Sequence, residues 1–458
     1  MFNKYRVLHF VGIGGVGMSG IAEVLHNLGY EVTGSDIRES ETTTRLRRLG
    51  ITVHIGHREE NVDSAHVVVI SSAVSPANPE VREAKRRLVP VIPRAEMLAE
   101  LGRLKYGILV AGAHGKTTTT SLVATILGEG GLDPTVVIGG KLNGIGSNAR
   151  LGQGDYLVAE ADESDGSFLK LNPTIAVITN IDREHMEFFQ DIEILKHAFL
   201  SFINKIPFYG IAVVCIENAY LRELLPGIQR KVITYGLSEE ADIYARDIRH
   251  SGTEMSFEAV FRGKSMGFFT IPIPGRHNVL NSLAALAVAL ELQIPLEVTA
   301  KALSSFSGIH RRFEPKGEAK GIRVFDDYGH HPSEIKATLK AARECFPGSR
   351  LIVLFQPHRY TRTMDLMDEF ITSFTDADVL FLMDIYAAGE KPIEGVHAEK
   401  LARRIREEAG REVHYIPDRE EMRESILAQL RSGDIVISLG AGDVYKLGEE
   451  IAQKLWGV

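Results

Sequence analysis

The chain has 458 residues, 44% hydrophobic and 24% charged, with a formal net charge of -8. That length allows two to four globular domains, and an acidic balance without any Lys/Arg block gives no support to a polyanion-binding surface, so no nucleic-acid partner is expected. Cys215 and Cys345 stand far apart and outside any Cys/His cluster, which excludes a disulfide framework or zinc site and fits the reducing cytoplasm.

The apolar run Val7–Val11 is too short to span a membrane and leads into glycines, not a cleavage site, so it reads as a first strand and no membrane partner is expected. A helical pattern at 19–28 and β-branched runs at 31–34 and 67–71 complete a parallel α/β unit, followed by a helix at 94–101. A second unit begins with strand Tyr106–Ala111 and continues through strands at 156–159 and 175–179. A strand at 270–274 precedes a long apolar helix at 280–290, and 304–315 reads as a linker. The third unit has strands at 322–325, Leu351–Phe355, 379–383 and Ile435–Leu439, separated by amphipathic stretches at 334–344 and 398–408. The predicted domains are 1–105, 106–308 and 309–458.

The first strand ends in Gly12-Ile13-Gly14-Gly15-Val16-Gly17, and Asp36 follows the next strand. Glycines there let backbone amides approach a pyrophosphate at a helix N-terminus, with Asp36 reaching a ribose hydroxyl. NAD and a UDP-type ligand both satisfy this reading, as does a purely structural turn. The second loop, Gly112-Ala113-His114-Gly115-Lys116-Thr117-Thr118, again joins a strand to a helix. Its amides can cradle phosphate oxygens, Lys116 can reach the β and γ phosphates, and Thr117 can place its hydroxyl on Mg²⁺. It departs from the usual pattern in having Val110 where that pattern has glycine.

Strand 156–159 releases Glu160-Ala161-Asp162-Glu163-Ser164-Asp165, either a Mg²⁺-binding carboxylate group or a solvated acidic turn. Asn180-Ile181-Asp182-Arg183-Glu184-His185 follows the next strand, making His185 a candidate for a second metal. Asn278 and Asn281 share a helix face, suited to an adenine edge or a phosphate, or to capping. In the last unit, Asp326-Asp327-Tyr328-Gly329-His330-His331-Pro332 and Gln356-Pro357-His358-Arg359-Tyr360-Thr361-Arg362 stand at strand ends. Arg359 and Arg362 can clamp a carboxylate or a phosphoryl group.

Together with Arg311-Arg312-Phe313, these phrases resemble the Mur ligase family over nearly the whole chain. The resemblance implies an α/β fold of three domains: an N-terminal Rossmann-like domain for a UDP sugar, a central P-loop ATPase-like parallel sheet, and a C-terminal Rossmann-like domain that closes over the site with the amino acid. It implies ATP and Mg²⁺ as cofactors. The implied substrates are UDP-N-acetylmuramate and L-alanine, joined through an acyl phosphate by a cytoplasmic monomer or homodimer. Carried over by position, Gly12, Gly14, Gly15, Gly17, Asp36 and Ser72 would hold the UDP sugar. Gly112, His114, Gly115, Lys116, Thr117, Thr118, Asn278, Asn281, Arg312 and Asp327 would contact ATP. Thr117, Glu160, Glu163 and His185 would hold metal, and Lys116, His185, His330, His358, Arg359 and Arg362 would face the reacting groups. Ala113 replaces a usual threonine, and Arg183-Glu184 replaces a frequent Pro-Asp. A peptide-recycling ligase, an NAD-dependent oxidoreductase and a non-catalytic nucleotide-binding regulator are the alternatives.

Overall fold

Continuous apolar runs become buried strands in the computed structural model, which describes residues 5–71, 73–103, 105–139 and 149–456. All five residues of Val7–Val11 are buried, as expected for a parallel strand covered on both faces. It pairs in parallel with Glu31–Asp36 on one side and Val67–Ile70 on the other. The first sheet runs Thr52–Ile55, Glu31–Asp36, Val7–Val11, Val67–Ile70, Val91–Pro93. Its order reverses beside Val7–Val11, so the crevice where ligands bind such sheets opens at Gly12.

The second sheet has ten strands, with Tyr106–Ala111 between Ile175–Ile178 and Tyr156–Glu160. These pairs are parallel, which sets both 112–115 and 160–165 at the carboxyl edge of the sheet. At the far end lie Ile243–Ser251, Glu254–Phe261 and Lys264–Ile271, adjacent in order and joined by two-residue turns. The strand predicted at 270–274 is corrected here: pairing stops at Ile271, because Pro272 and Pro274 have no amide hydrogen to donate. Helix Arg276–Glu291 follows and starts four residues before the predicted 280–290.

In the third sheet, Glu314–Ala319 is antiparallel to Ile322–Asp327, and Ile435–Leu439, Leu351–Phe355, Val379–Leu382 and Glu412–Tyr415 continue it in parallel. Side chains alternate across this sheet: Leu351, Val353 and Phe355 enter one apolar cluster, Ile352 and Leu354 the other. The predicted linker at 304–315 overlaps the first residues of Glu314–Ala319, a strand whose sequence, Glu-Pro-Lys-Gly-Glu-Ala, has no large apolar residue.

The chain forms two compact units. One comprises Met1–Asp247, Phe257–Thr270 and Val279–Ser307; the other comprises Ile248–Ser256, Ile271–Asn278 and Gly308–Val458. Among the described residues, no helix is long and apolar enough to cross a membrane.

Candidate active site

The first glycine loop is held by the strand beside it. Gly12 has φ +79°, and the amides of Gly12 and Ile13 both donate to the Ser35 carbonyl, at 2.9 and 3.0 Å. The Gly14 amide donates to Asp36 Oδ2 at 2.9 Å, so one oxygen of the predicted ribose ligand is committed to the loop itself. A Cβ on Gly14 would lie 2.8 Å from that same oxygen, and a Cβ on Gly17 would collide with the Arg94 guanidinium. Gly14 and Gly17 therefore leave room for side chains as well as for a phosphate. Ser72, predicted to touch the same ligand, lies outside the described residues.

Ser35 is fixed from below by a buried polar network. Glu80, fully buried, accepts from Ser35 Oγ at 2.6 Å, His57 Nδ1 at 3.0 Å and Asn61 Nδ2, with His9 Nε2 at 3.8 Å. Burial pushes the Glu80 carboxyl upward, but the nearby His9 imidazole and hydrogen bonds from Ser35 and Asn61 outweigh it and hold the group at about 2.

The phosphate loop needs its glycines. Gly112 has φ +135° and a Cβ there would collide with Thr179; Gly115 has φ +80° and would set a Cβ 2.7 Å from Asn281 Oδ1. The turn after Ile175–Ile178 then locks His114. The His114 amide donates to Asn180 Oδ1 at 2.8 Å, its carbonyl accepts from Thr179 Oγ1 at 2.6 Å, and its Nε2 meets Asp182 Oδ2 at 2.9 Å. Asn281 accepts from Thr119 Oγ1 at 3.1 Å, which brings one of the two predicted asparagines onto this loop. Asn278 belongs to the other unit, where its side-chain Nδ2 donates to the Pro274 carbonyl at 2.6 Å.

Lys116 donates to the Gly112 carbonyl and to both oxygens of Glu163, at 2.9 and 3.0 Å. Burial lowers its pKa, but the Glu163 and Asp162 carboxylates outweigh that and raise it, so the ammonium stays charged. The two glutamates left open by the sequence take different partners. Glu160 accepts from the Gly139 amide at 2.7 Å and from the Thr117 hydroxyl, while burial raises its pKa. Glu163 lies with Glu184 and His185 in a group whose ligand atoms are all within 4.8 Å of one another. Carboxylate and hydroxyl oxygens at Thr117 and Glu160, and two carboxylates with one imidazole at 163, 184 and 185, are donor sets that suit a hard divalent cation. Glu184 was not predicted; the acid next to His185 was the available signal.

In the second unit, Asp327 is buried and accepts from the amides of Gly329 at 2.7 Å and Phe313 at 2.8 Å. Burial raises its pKa against the pull of Arg312. Arg312 pairs with Glu334 at 3.5 Å and lies over the Tyr328 ring. His330 and His358 rings are 5.7 Å apart, and His358 stacks on Tyr386 at 5.6 Å. Burial, then His330, Arg362 and Arg359, push the His358 imidazole down to about 3, so it is neutral near pH 7. Arg359 has φ +71°, an unfavourable backbone for a non-glycine residue, held by its amide donating to the Tyr386 carbonyl at 2.8 Å. Arg362 Nη1 meets His358 Nδ1 at 3.3 Å. The predicted residues thus divide between the units: both glycine loops, the acidic cluster and His185 in one, and Asn278 with the residues after 308 in the other.

Three family models match in chain order: the Mur ligase family catalytic domain over 7–106, the Mur ligase middle domain over 110–289, and the Mur ligase glutamate ligase domain over 311–442. A protein of Geotalea uraniireducens named UDP-N-acetylmuramate--L-alanine ligase is 58% identical over 457 residues, covering 100% of both chains. The chain belongs to the Mur ligase family. A Mur ligase of the same name from Geobacter sp. (strain M21) is 59% identical over 99% of both chains. Among solved structures, the UDP-N-acetylmuramate-alanine ligase of Thermotoga maritima superposes with a TM-score of 0.84 at 29% identity, covering 98% of this chain and 99% of its own. The murein peptide ligase of Psychrobacter arcticus superposes with a TM-score of 0.72 at 24% identity over 99% of both chains, a likeness of fold. Three α/β domains, the fold expected from the sequence, are the architecture of this Mur ligase.

Proposed function

We propose that this chain joins L-alanine to the lactyl carboxylate of UDP-N-acetylmuramate, converting ATP to ADP and phosphate, in the cytoplasm. The observation that supports it best is the phosphate loop with Lys116 charged beside the Glu160, Glu163, Glu184 and His185 donors, in a chain alike over its whole length to ligases of that name. Domain boundaries near 105 and 308 fit this reading.

A carboxylate oxygen of the sugar attacks the γ-phosphorus, giving an acyl phosphate and ADP. The amine of L-alanine then attacks the acyl carbon, loses a proton, and expels phosphate from the tetrahedral intermediate. Both reactants of the first step are anions, so alignment and charge neutralisation dominate the barrier. Thr117 with Glu160, and Glu163, Glu184 with His185, would hold Mg²⁺, which when bound neutralises phosphate charge. Lys116 supplies a fixed cation at the transferred phosphoryl group. Arg359 and Arg362 offer guanidinium forks to a carboxylate, and neutral His358, whose Nδ1 accepts from Arg362, keeps its Nε2–H to donate to a carboxylate or phosphate oxygen. The amides of Gly12, Ile13, Gly14 and Gly15 are donated within the fold, so the Gly17 amide at the helix N-terminus would take the UDP diphosphate.

Phosphate release from ATP is the test, with UDP-N-acetylmuramate, Mg²⁺ and either L-alanine, L-serine, glycine or an L-alanine-containing tripeptide. Release that requires both the sugar nucleotide and L-alanine supports the reading. Preference for the tripeptide makes the chain a peptide-recycling ligase, and no release with any pair defeats the ligase reading.

A further inference from the structure

Arg94 has no part in the reaction as described so far, yet it touches both the first glycine loop and the acidic cluster. It is the first residue of helix Arg94–Gly102 and directly follows strand Val91–Pro93, at the same carboxyl edge of the first sheet as Gly12. Its guanidinium lies over Gly17 so closely that a Cβ there would collide with Nη1, with Cζ and Cδ at 3.1 and 3.2 Å. The other arm of the fork, Nη2, reaches Asp162 Oδ2 in the acidic cluster at 3.2 Å. Both partners keep about a third of their side-chain surface, 32% and 40%, so the cation is open to a ligand. Asp162 directly precedes Glu163, whose two oxygens accept from Lys116 at 2.9 and 3.0 Å.

An arginine has five donors in a planar fork, enough to hold an aspartate with one arm and a phosphate oxygen with the other. Gly17 closes the loop assigned to the diphosphate, so a phosphate seated there meets Nη1 side. We propose that Arg94 binds the diphosphate of the UDP sugar and, through Asp162, couples occupancy of that site to the phosphate loop. This rests on the first loop holding the sugar nucleotide. Bound diphosphate fixes the guanidinium, the guanidinium fixes Asp162, and Asp162 positions the acidic cluster beside Lys116. By linkage, an ATP analogue must then tighten binding of the sugar nucleotide by the same factor.

The test is calorimetric titration of the full chain with UDP-N-acetylmuramate, alone and with Mg²⁺ plus a non-hydrolysable ATP analogue. Wild type is expected to bind the sugar nucleotide more tightly when the analogue is present. Arg94→Ala is expected to weaken sugar-nucleotide binding by about tenfold or more, the loss of a charge-assisted contact, while changing binding of the analogue alone less than about twofold. Asp162→Asn keeps Arg94, so it should retain sugar-nucleotide affinity and lose the enhancement; it also decides the matter if Arg94→Ala does not fold. Unweakened binding by a folded Arg94→Ala protein, no enhancement in wild type, or an enhancement that survives in Asp162→Asn would each overturn the proposal. Failure of wild type to bind UDP-N-acetylmuramate at all would instead defeat the functional reading on which it rests.

Discussion

Replacing Lys116 by alanine removes one partner of an ion pair in which Lys116 is 15% exposed and Glu163 2%. Across 2.9 Å, at an effective dielectric of about 20, the gross attraction is about 6 kcal/mol, most of it offset by the cost of taking both charges out of water. What the variant loses is set by the orphaned carboxylate: breaking such a pair costs about 3–5 kcal/mol, less if Glu163 takes up a proton. Adding Glu163→Gln removes the stranded charge and should recover part of that loss. Activity separates from stability, because the lysine also faces the transferred phosphoryl group. Its removal should lower kcat by about 10²–10³, roughly 3–4 kcal/mol of transition-state stabilisation, with little change in the affinity for UDP-N-acetylmuramate. Urea unfolding of the single and double variants, phosphate release and calorimetry with the sugar nucleotide give the three readouts. Equal stabilities of single and double variants would refute the pair, and an equal loss of kcat and of sugar-nucleotide affinity would refute the division of labour between the two loops.

The buried Glu80 network predicts acid sensitivity. Because its carboxyl is held at about 2 instead of its ordinary 4.5, its contribution is complete above about 4.5 and is lost as pH falls toward 2, roughly 3 kcal/mol in all. Glu80→Gln should therefore show a flatter stability profile than wild type between those pH values in chemical unfolding, and parallel profiles would sink the assignment. Glu184→Gln should raise the Mg²⁺ concentration needed for half-maximal phosphate release and weaken Mn²⁺ binding followed by electron paramagnetic resonance; an unchanged Mn²⁺ titration would remove Glu184 from the metal-binding set.

Much of the scaffold was legible because parallel strands buried on both faces must be nearly all apolar. Tyr106–Ala111, Leu351–Phe355 and Ile435–Leu439 have the bounds their sequence suggests. Ile243–Ser251 did not stand out, since its second half, Asp247-Ile248-Arg249-His250-Ser251, is mostly polar, half-buried or exposed, and carries no apolar run. Glu314–Ala319 was hidden for a similar reason: as an edge strand it buries none of its six residues. In the site, the phosphate loop could be read because its glycines and lysine are contiguous. The division of Glu160 to Thr117 and Glu163 to Lys116 could not, because three residues of spacing say nothing about which carboxylate turns toward which neighbour. Arg94 gave no signal either. Its partners, Gly17 and Asp162, are remote in the chain, and only the folded sheets bring them to it.

The closeness of Gly17 to Arg94 also binds the histories of the two positions. The backbone at Gly17 needs no left-handed angle, so alanine is excluded there only by the neighbour's side chain. A lineage that gave up the glycine would first have to shorten or redirect the arginine, passing through an intermediate that has lost its cation before gaining anything in return. Position 94 can change while the glycine stays, but a side chain at 17 finds room only once the guanidinium has moved away.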